Sequence, residues 1–196
     1  MDHNHTNCCC NHYSKDQTRI ARKRIFSLGF VLVIVLLIKP FMADQLIKRA
    51  DAYYTFGFYD DAIRQYKKAI LLSKADSDIW INLGDCFKAK SEVGEAIAAF
   101  REAVNVAPED RAANFNLGMA LAMSKNYNSA VAYFEKVRSF GAESKEQRVF
   151  DGFSYYRSSL KMLAICLEKL HEFEKEAIVR EEFKLACRGD TLACEK

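Results

Sequence analysis

Proline and glycine are scarce in this chain: Pro40 and Pro108 are the only prolines in 196 residues, and eight glycines accompany them. That scarcity excludes collagen-like, low-complexity and turn-rich β architectures. With an apolar share of 50% it favours a compact helical chain over a disordered one. Catalytic signatures are missing too. There is no Gly-rich phosphate loop, no G-x-S-x-G and no H-E-x-x-H, and the body carries one histidine, His171, in a Lys/Leu/Glu helix turn. We therefore expect no catalytic residues, no cofactor and no enzyme. Clustered positive charge is also lacking beyond residue 42, where 23 Lys/Arg face 24 Asp/Glu. A near-neutral body of this kind argues against a nucleic-acid partner.

The charge excess sits at the front. Residues 1–42 hold six basic residues (Lys15, Arg19, Arg22, Lys23, Arg24, Lys39) against Asp2 and Asp16. Beside that basic arm lies Ile25–Ile38, fourteen residues without a charge. A spanning helix needs about 20 residues, and the run extends through Lys39, Pro40, Phe41 and Met42 to eighteen. Lys39 then snorkels to the interface while Pro40 bends or ends the helix. Three readings compete. A cleaved signal peptide fits the basic flank, but Lys39–Asp44 offers no small-x-small cleavage site. A buried core helix needs an amphipathic pattern, and this run is apolar all round. We expect an uncleaved transmembrane signal anchor at 25–42, preceded by a disordered basic tail at 1–24. Five basic residues before the run outweigh Lys39, Lys48 and Arg49 after it. The N-terminus is thus expected in the cytoplasm and the body outside it, in a periplasm-like or lumenal space.

The body repeats itself. A shift of 34 residues aligns Tyr53, Phe87 and Leu121, then Ala62, Ala96 and Ala130, then Tyr66, Phe100 and Phe134. Ala69, Ala103 and Val137 form a fourth column, and the small residues Ala50, Gly84 and Gly118 a fifth. Within Ser77–Asp110, Trp80, Leu83, Gly84 and Phe87 recur at helical steps, and Ala96, Phe100 and Ala103 do so again. Small residues at Gly84 and Ala96 allow two backbones to approach, and Pro108 stops the second helix. Such a pair is too small to fold alone and must stack on its neighbours.

The spacing W-x2-L-G-x2-F followed by Ala96, Phe100, Ala103 and Pro108 closely resembles the tetratricopeptide repeat signature. The resemblance implies an all-α solenoid of helix-turn-helix repeats at 43–76, 77–110 and 111–144. The match is strongest in the second, whereas Asn114 and Ala142 replace the tryptophan and proline of the third, and Arg49 and Lys74 depart in the first. Ser139–Arg157 reads as a loop or irregular helix. Ser158–Arg188 reads as a degenerate fourth repeat, its second helix displaced by one residue at Phe173 and Ala177. The domain thus runs 43–188, with a tail at 189–196. The Glu-rich outer face of the last repeat (Glu172, Glu174, Glu176, Glu181, Glu182) suits a solvated terminal cap.

The resemblance also implies a function. In this family the first helices line a concave groove that binds peptides or partner proteins. Here that places Asp51, Tyr54, Ile81, Asp85, Lys88, Phe115, Met119 and Met123 on the groove. Asn82 and Asn116 match asparagines that grip peptide backbone, for which an amide supplies both donor and acceptor; the alternative is that both are merely consensus residues of the fold. With Asp51, Asp85 and Met119 on this face, a basic clamp for an acidic C-terminus is absent, and an apolar or mildly basic ligand fits better. Two further clusters stand apart. His3, His5, Cys8, Cys9, Cys10 and His12 are candidate metal ligands, and lipid attachment is the other alternative, but C-x-x-C spacing is missing, so a disordered cytoplasmic tail is the simpler reading and no bound metal is expected. Cys187 and Cys194 could close a small disulfide loop in an oxidising compartment. The leading expectation is a membrane-anchored scaffold for envelope assembly or secretion. The alternative is an anchored regulatory or metal-handling protein working through its Cys/His tail.

Overall fold

The computed structural model describes residues 38–72, 76–141 and 154–187. Eight helices fill them: α1 over residues 38–55, α2 (Tyr59–Leu72), α3 (Ser77–Ala89), α4 (Val93–Val106), α5 (Arg111–Met123), α6 (Tyr127–Ser139), α7 (Tyr155–Lys169) and α8 (Phe173–Ala186). No strand occurs among the described residues. Consecutive helices pair as hairpins, and each second helix packs on the first helix of the next pair. The first helices of successive pairs also touch, α3 with α5 and α5 with α7, while no comparable contact links successive second helices. First helices therefore lie on the shorter, inner side of a curved stack.

The chain forms these hairpins for local reasons. Side-chain oxygens cap the first helices: Asp76 accepts from the Ile79 N–H, Asp110 from those of Ala112 and Ala113, and Ser154 from that of Arg157. Each cap satisfies a donor with no intrahelical partner, at about 1 kcal/mol. Every first helix ends alike. The N–H groups of Phe58, Glu92, Asn126 and Glu172 reach back to the carbonyls of Tyr53, Phe87, Leu121 and Leu167 at 2.9–3.0 Å. The residue before each, Gly57, Ser91, Lys125 or His171, is left-handed, with φ between 60 and 79°. This is the Schellman arrangement, repeated four times.

The repeat columns are the core. Tyr66, Phe100 and Phe134 are at most 1% exposed, and the alanine columns are sealed. Burying each aromatic contributes about 2–3 kcal/mol. The glycines of the small-residue column are required by their neighbours. A Cβ on Gly84 would stand 2.5 Å from Cε1 of Phe100, and one on Gly118 2.8 Å from Cε1 of Phe134.

The last repeat differs from expectation in two ways. Its first helix begins at Tyr155, not Ser158, because Ser154 caps it and Tyr155 packs edge-on against Phe115 at 5.7 Å. Nor is its second helix displaced. His171 takes the place of Ser91 and Lys125, but 46 residues after Lys125 instead of 34. The 12 extra residues therefore lie in the connection between α6 and α7, and the hairpin itself keeps its register. Phe173 and Ala177 are consequently exposed, and Val179 and Phe183 turn inward. Glu176 and Arg180 stand where the other repeats have alanine and a buried aromatic.

The Glu-rich face is not merely solvated. Glu182 accepts from the Tyr156 hydroxyl at 2.6 Å and pairs with Arg138 of α6, tying the third repeat to the fourth. That partner and the tyrosine hydroxyl hold the Glu182 carboxyl below its usual range, against the opposing effect of burial. Burial, with the carboxylate beside it, pushes Tyr156 up to about 12.

Of the expected anchor at 25–42, residues 25–37 lie outside the described residues, and residues 38–42 form the start of α1. Among the described residues no helix is long and apolar enough to cross a membrane. The tail at 1–24 and residues 189–196 also lie outside.

Candidate functional site

The inner face is built by α1, α3, α5 and α7, and the expected groove residues divide on it. Tyr54, Asn82, Asp85, Lys88, Asn116, Met119 and Met123 keep part or much of their surface open. Ile81 and Phe115 do not, each being 8% exposed. The correction for Phe115 has a clear cause: its ring sits between Phe134 and Tyr155, at 5.8 and 5.7 Å. Ile81 joins the same continuous core. On a closely stacked solenoid these two positions face the neighbouring helix more than the groove.

The polar groove residues are partly committed to one another. The Tyr66 hydroxyl donates to Asp51, and Asn82 lies close enough to act on that tyrosine. Burial and the Asp51 contact raise the Tyr66 phenol well above its ordinary value, with Asn82 acting in the opposite direction. One phenol from α2 thus holds an aspartate on α1 and stands beside an asparagine on α3. Phe100 and Phe134 fill the equivalent place in the next two repeats and have no hydroxyl to offer. There Asp85 pairs with Lys88, whose ammonium lies 5.8 Å from the Phe100 ring centre. Tyr54 leans on Tyr59 at 5.7 Å, and burial followed by the nearby Asp85 raises its pKa. This half of the groove is aromatic and mildly acidic. The other half, with Asn116, Met119 and Met123, is neutral and soft.

Such a surface can bind a chain through side-chain amides, ring faces and thioethers. It holds no obvious nucleophile. Cys86 and Cys166 are free and fully buried. Burial, with Asp85 and Asp51 nearby, lifts the Cys86 thiol to about 12, and burial lifts Cys166 to about 11. Among the described residues no group of three or more His, Cys, Asp or Glu could hold a metal ion. The candidates His3, His5, Cys8, Cys9, Cys10 and His12 lie outside those residues. Cys187, at the end of α8, is disulfide-bonded, and its expected partner Cys194 lies outside the described residues. The Tyr66 link was missed in sequence. Its only trace is a tyrosine in a column otherwise filled by phenylalanine.

A hairpin solenoid with an open inner face defines a class of helical repeat proteins. The tetratricopeptide repeat model matches residues 47–107 and 89–144, together half of the chain, and the chain belongs to the tetratricopeptide repeat family. No curated protein matches it. Solved structures share the fold. A crystal structure of MamA is 21% identical, covering 74% of this chain and 81% of that one with a TM-score of 0.58. YrrB, described as a TPR protein with an unusual peptide-binding site, is 17% identical over 78% of this chain and 73% of its own, with a TM-score of 0.62. The Yersinia enterocolitica type III secretion chaperone SycD, solved with a peptide of the translocator YopD, is 20% identical. It covers 64% of this chain and 92% of its own, with a TM-score of 0.57.

Proposed function

We propose that this chain is a membrane-anchored scaffold, not a catalyst, that holds an extended segment of a partner protein along its inner groove in envelope assembly or secretion. One observation carries the reading. α3 touches α5 and α5 touches α7, which aligns Asn82, Asn116 and Met119 on one accessible face, and Tyr54 of α1 adjoins it near Asp85. The peptide-bound and peptide-binding proteins of the same fold support it. The anchor is the apolar run at 25–42, broken only by Lys39, with the basic flank of residues 15–24 kept in the cytoplasm and the repeats beyond the membrane. The disulfide at Cys187 supports that placement, because such bonds persist in oxidising compartments.

The test pairs Asn116→Ala with Met119→Glu, since neither residue is sealed in the core. Binding to an immobilised library of extended peptides should fall at least about tenfold, equivalent to about 1.4 kcal/mol, with the circular dichroism spectrum unchanged. Peptides held equally well by the variant would refute the groove. A reporter that works only outside the cytoplasm, fused after Lys196, should be active. Activity of a cytoplasmic reporter instead would invert the topology.

A further inference from the structure

We infer that the end of the first hairpin, formed by the start of α1 and the last turn of α2, is itself a lipid-contacting surface that seats the array directly on the bilayer. This rests on the anchor reading above and adds a second contact to it. α1 is already helical at Ile38, the residue that follows the uncharged stretch 25–37 without interruption. Ala43 is 2% exposed and Ile47 is the first residue of α1 packed against the continuous core, so residues 38–42 project ahead of the packed part. Five residues of helix measure about 7.5 Å. Ile38, Phe41 and Met42 on this projection are 49, 63 and 46% exposed. No non-helical residue lies between Ile38 and the packed part of α1, so a loose tether is excluded from this stretch.

α2 brings the second contact. The Tyr66 hydroxyl meets Asp51 across the hairpin, and the two helices run in opposite directions, so Leu71 comes level with Leu46, about 6 Å from Met42 along the axis. Leu71 is 85% exposed, more than any other large apolar side chain described. Exposed Lys68 stands one turn earlier. An ammonium above an apolar tip suits a lipid interface, where the head meets phosphate and the tip meets acyl chain. Asp44 on the projection is paired with Lys48 at 2.7 Å, and Asp76 and Asp78 open α3 beyond the last turn of α2. Because the apolar stretch that enters this patch fits a bilayer, the occupant is lipid and not a second protein.

The experiment uses the full chain in phosphatidylcholine vesicles carrying lipids brominated near the acyl-chain carbonyls. In a Trp80→Phe background, the single probe Leu71→Trp is compared with Met123→Trp, which lies at the opposite end of a first helix. Asn114 stands at the place of Trp80 in the next repeat, so the background change is tolerable; circular dichroism checks it. The Leu71→Trp probe should lose about half its emission, because an apolar face at an interface sits about 5–10 Å into the headgroup boundary. The Met123→Trp probe should lose none. A chain that floats with the vesicles but shows no quenching at position 71 overturns this inference alone. So does equal quenching at both positions. A chain that fails to float overturns the anchor and this inference together.

Discussion

Replacing Gly84 with alanine sets two known effects against each other. Alanine is about 1 kcal/mol better than glycine inside a helix, so propensity alone predicts stabilisation. Packing predicts the reverse. The new Cβ would stand 2.5, 2.7 and 2.8 Å from three carbons of the Phe100 ring. Phe100 is 0% exposed, so the ring must retreat into a filled core. Overpacking of this kind costs typically 1–3 kcal/mol, and after the propensity gain of about 1 kcal/mol the net loss for Gly84→Ala is up to about 2 kcal/mol. Gly118→Ala should lose less, its nearest contact being 2.8 Å. Gly94→Ala in α4 has nothing within 4 Å and should be neutral or stabilising by up to about 1 kcal/mol. Denaturant unfolding of the three variants reads this order directly. A gain in stability for Gly84→Ala equal to that of Gly94→Ala would refute the close-contact argument.

Two further outcomes follow from the turns and the charged clasp. Ser91→Gly should stabilise by about 0.5–1 kcal/mol, since an L-residue at positive φ costs about 1–2 kcal/mol and glycine returns part of that as chain entropy. Gly57→Ala, at φ 79° with open space around it, should destabilise by a similar amount in the same thermal melts. Glu182→Gln should cost about 1–2 kcal/mol at neutral pH, discounted for partial exposure. The Glu182 carboxyl is lowered in the fold, so its contribution is present above the ordinary value of 4.5 and is lost as pH falls through the lowered one. The gap between variant and parent should therefore close in acid; a gap independent of pH would contradict the clasp.

The columns spaced by 34 were legible because burial acts on side chains of fixed size, and Ala62, Phe100 and Gly84 leave that mark whatever surrounds them. The left-handed turn was not legible. Only Gly57 among its four residues is glycine; Ser91, Lys125 and His171 are held there by the hydrogen bonds of the helix end, which sequence does not display. The fourth repeat was misplaced for a related reason. Its register is set by His171 and the Ser154 cap, while Glu176 and Arg180 erase the alanine–aromatic pattern that a reader follows. In the groove, helical spacing separates exposed from buried faces only to within one residue. Ile81 and Phe115 fell on the wrong side of that boundary because inter-repeat contacts, not spacing, decide it.

The charged substitutions in the fourth repeat also bear on how long the groove is. In the first three repeats the aromatic at this place is sealed, and the next first helix packs over its hairpin. Arg180 instead bonds Glu176 and Glu168, at 2.5 and 3.0 Å, and stays half-exposed. Beside it a cleft of 190 Å³ opens, lined by Leu160, Lys161, Ala164, Ile165, Arg180 and Phe183. Docking another helix there would strip water from three charges, which costs several kcal/mol per ion unless new partners appear. The apolar cleft invites stacking, but Arg180 and its carboxylates oppose it, and the desolvation cost is the larger effect. These charges disfavour stacking on α7 and α8, and among the described residues the inner face comprises α1, α3, α5 and α7. Three steps of about 8–10 Å between packed helices span roughly 24–30 Å. An extended chain advances at most about 3.3–3.6 Å per residue, so a bound segment of about seven to nine residues covers the face. A segment held there would meet Tyr54 on α1 and the acidic stretch of α3 first, then Asn116 and Met119 on α5, and then the surface of α7.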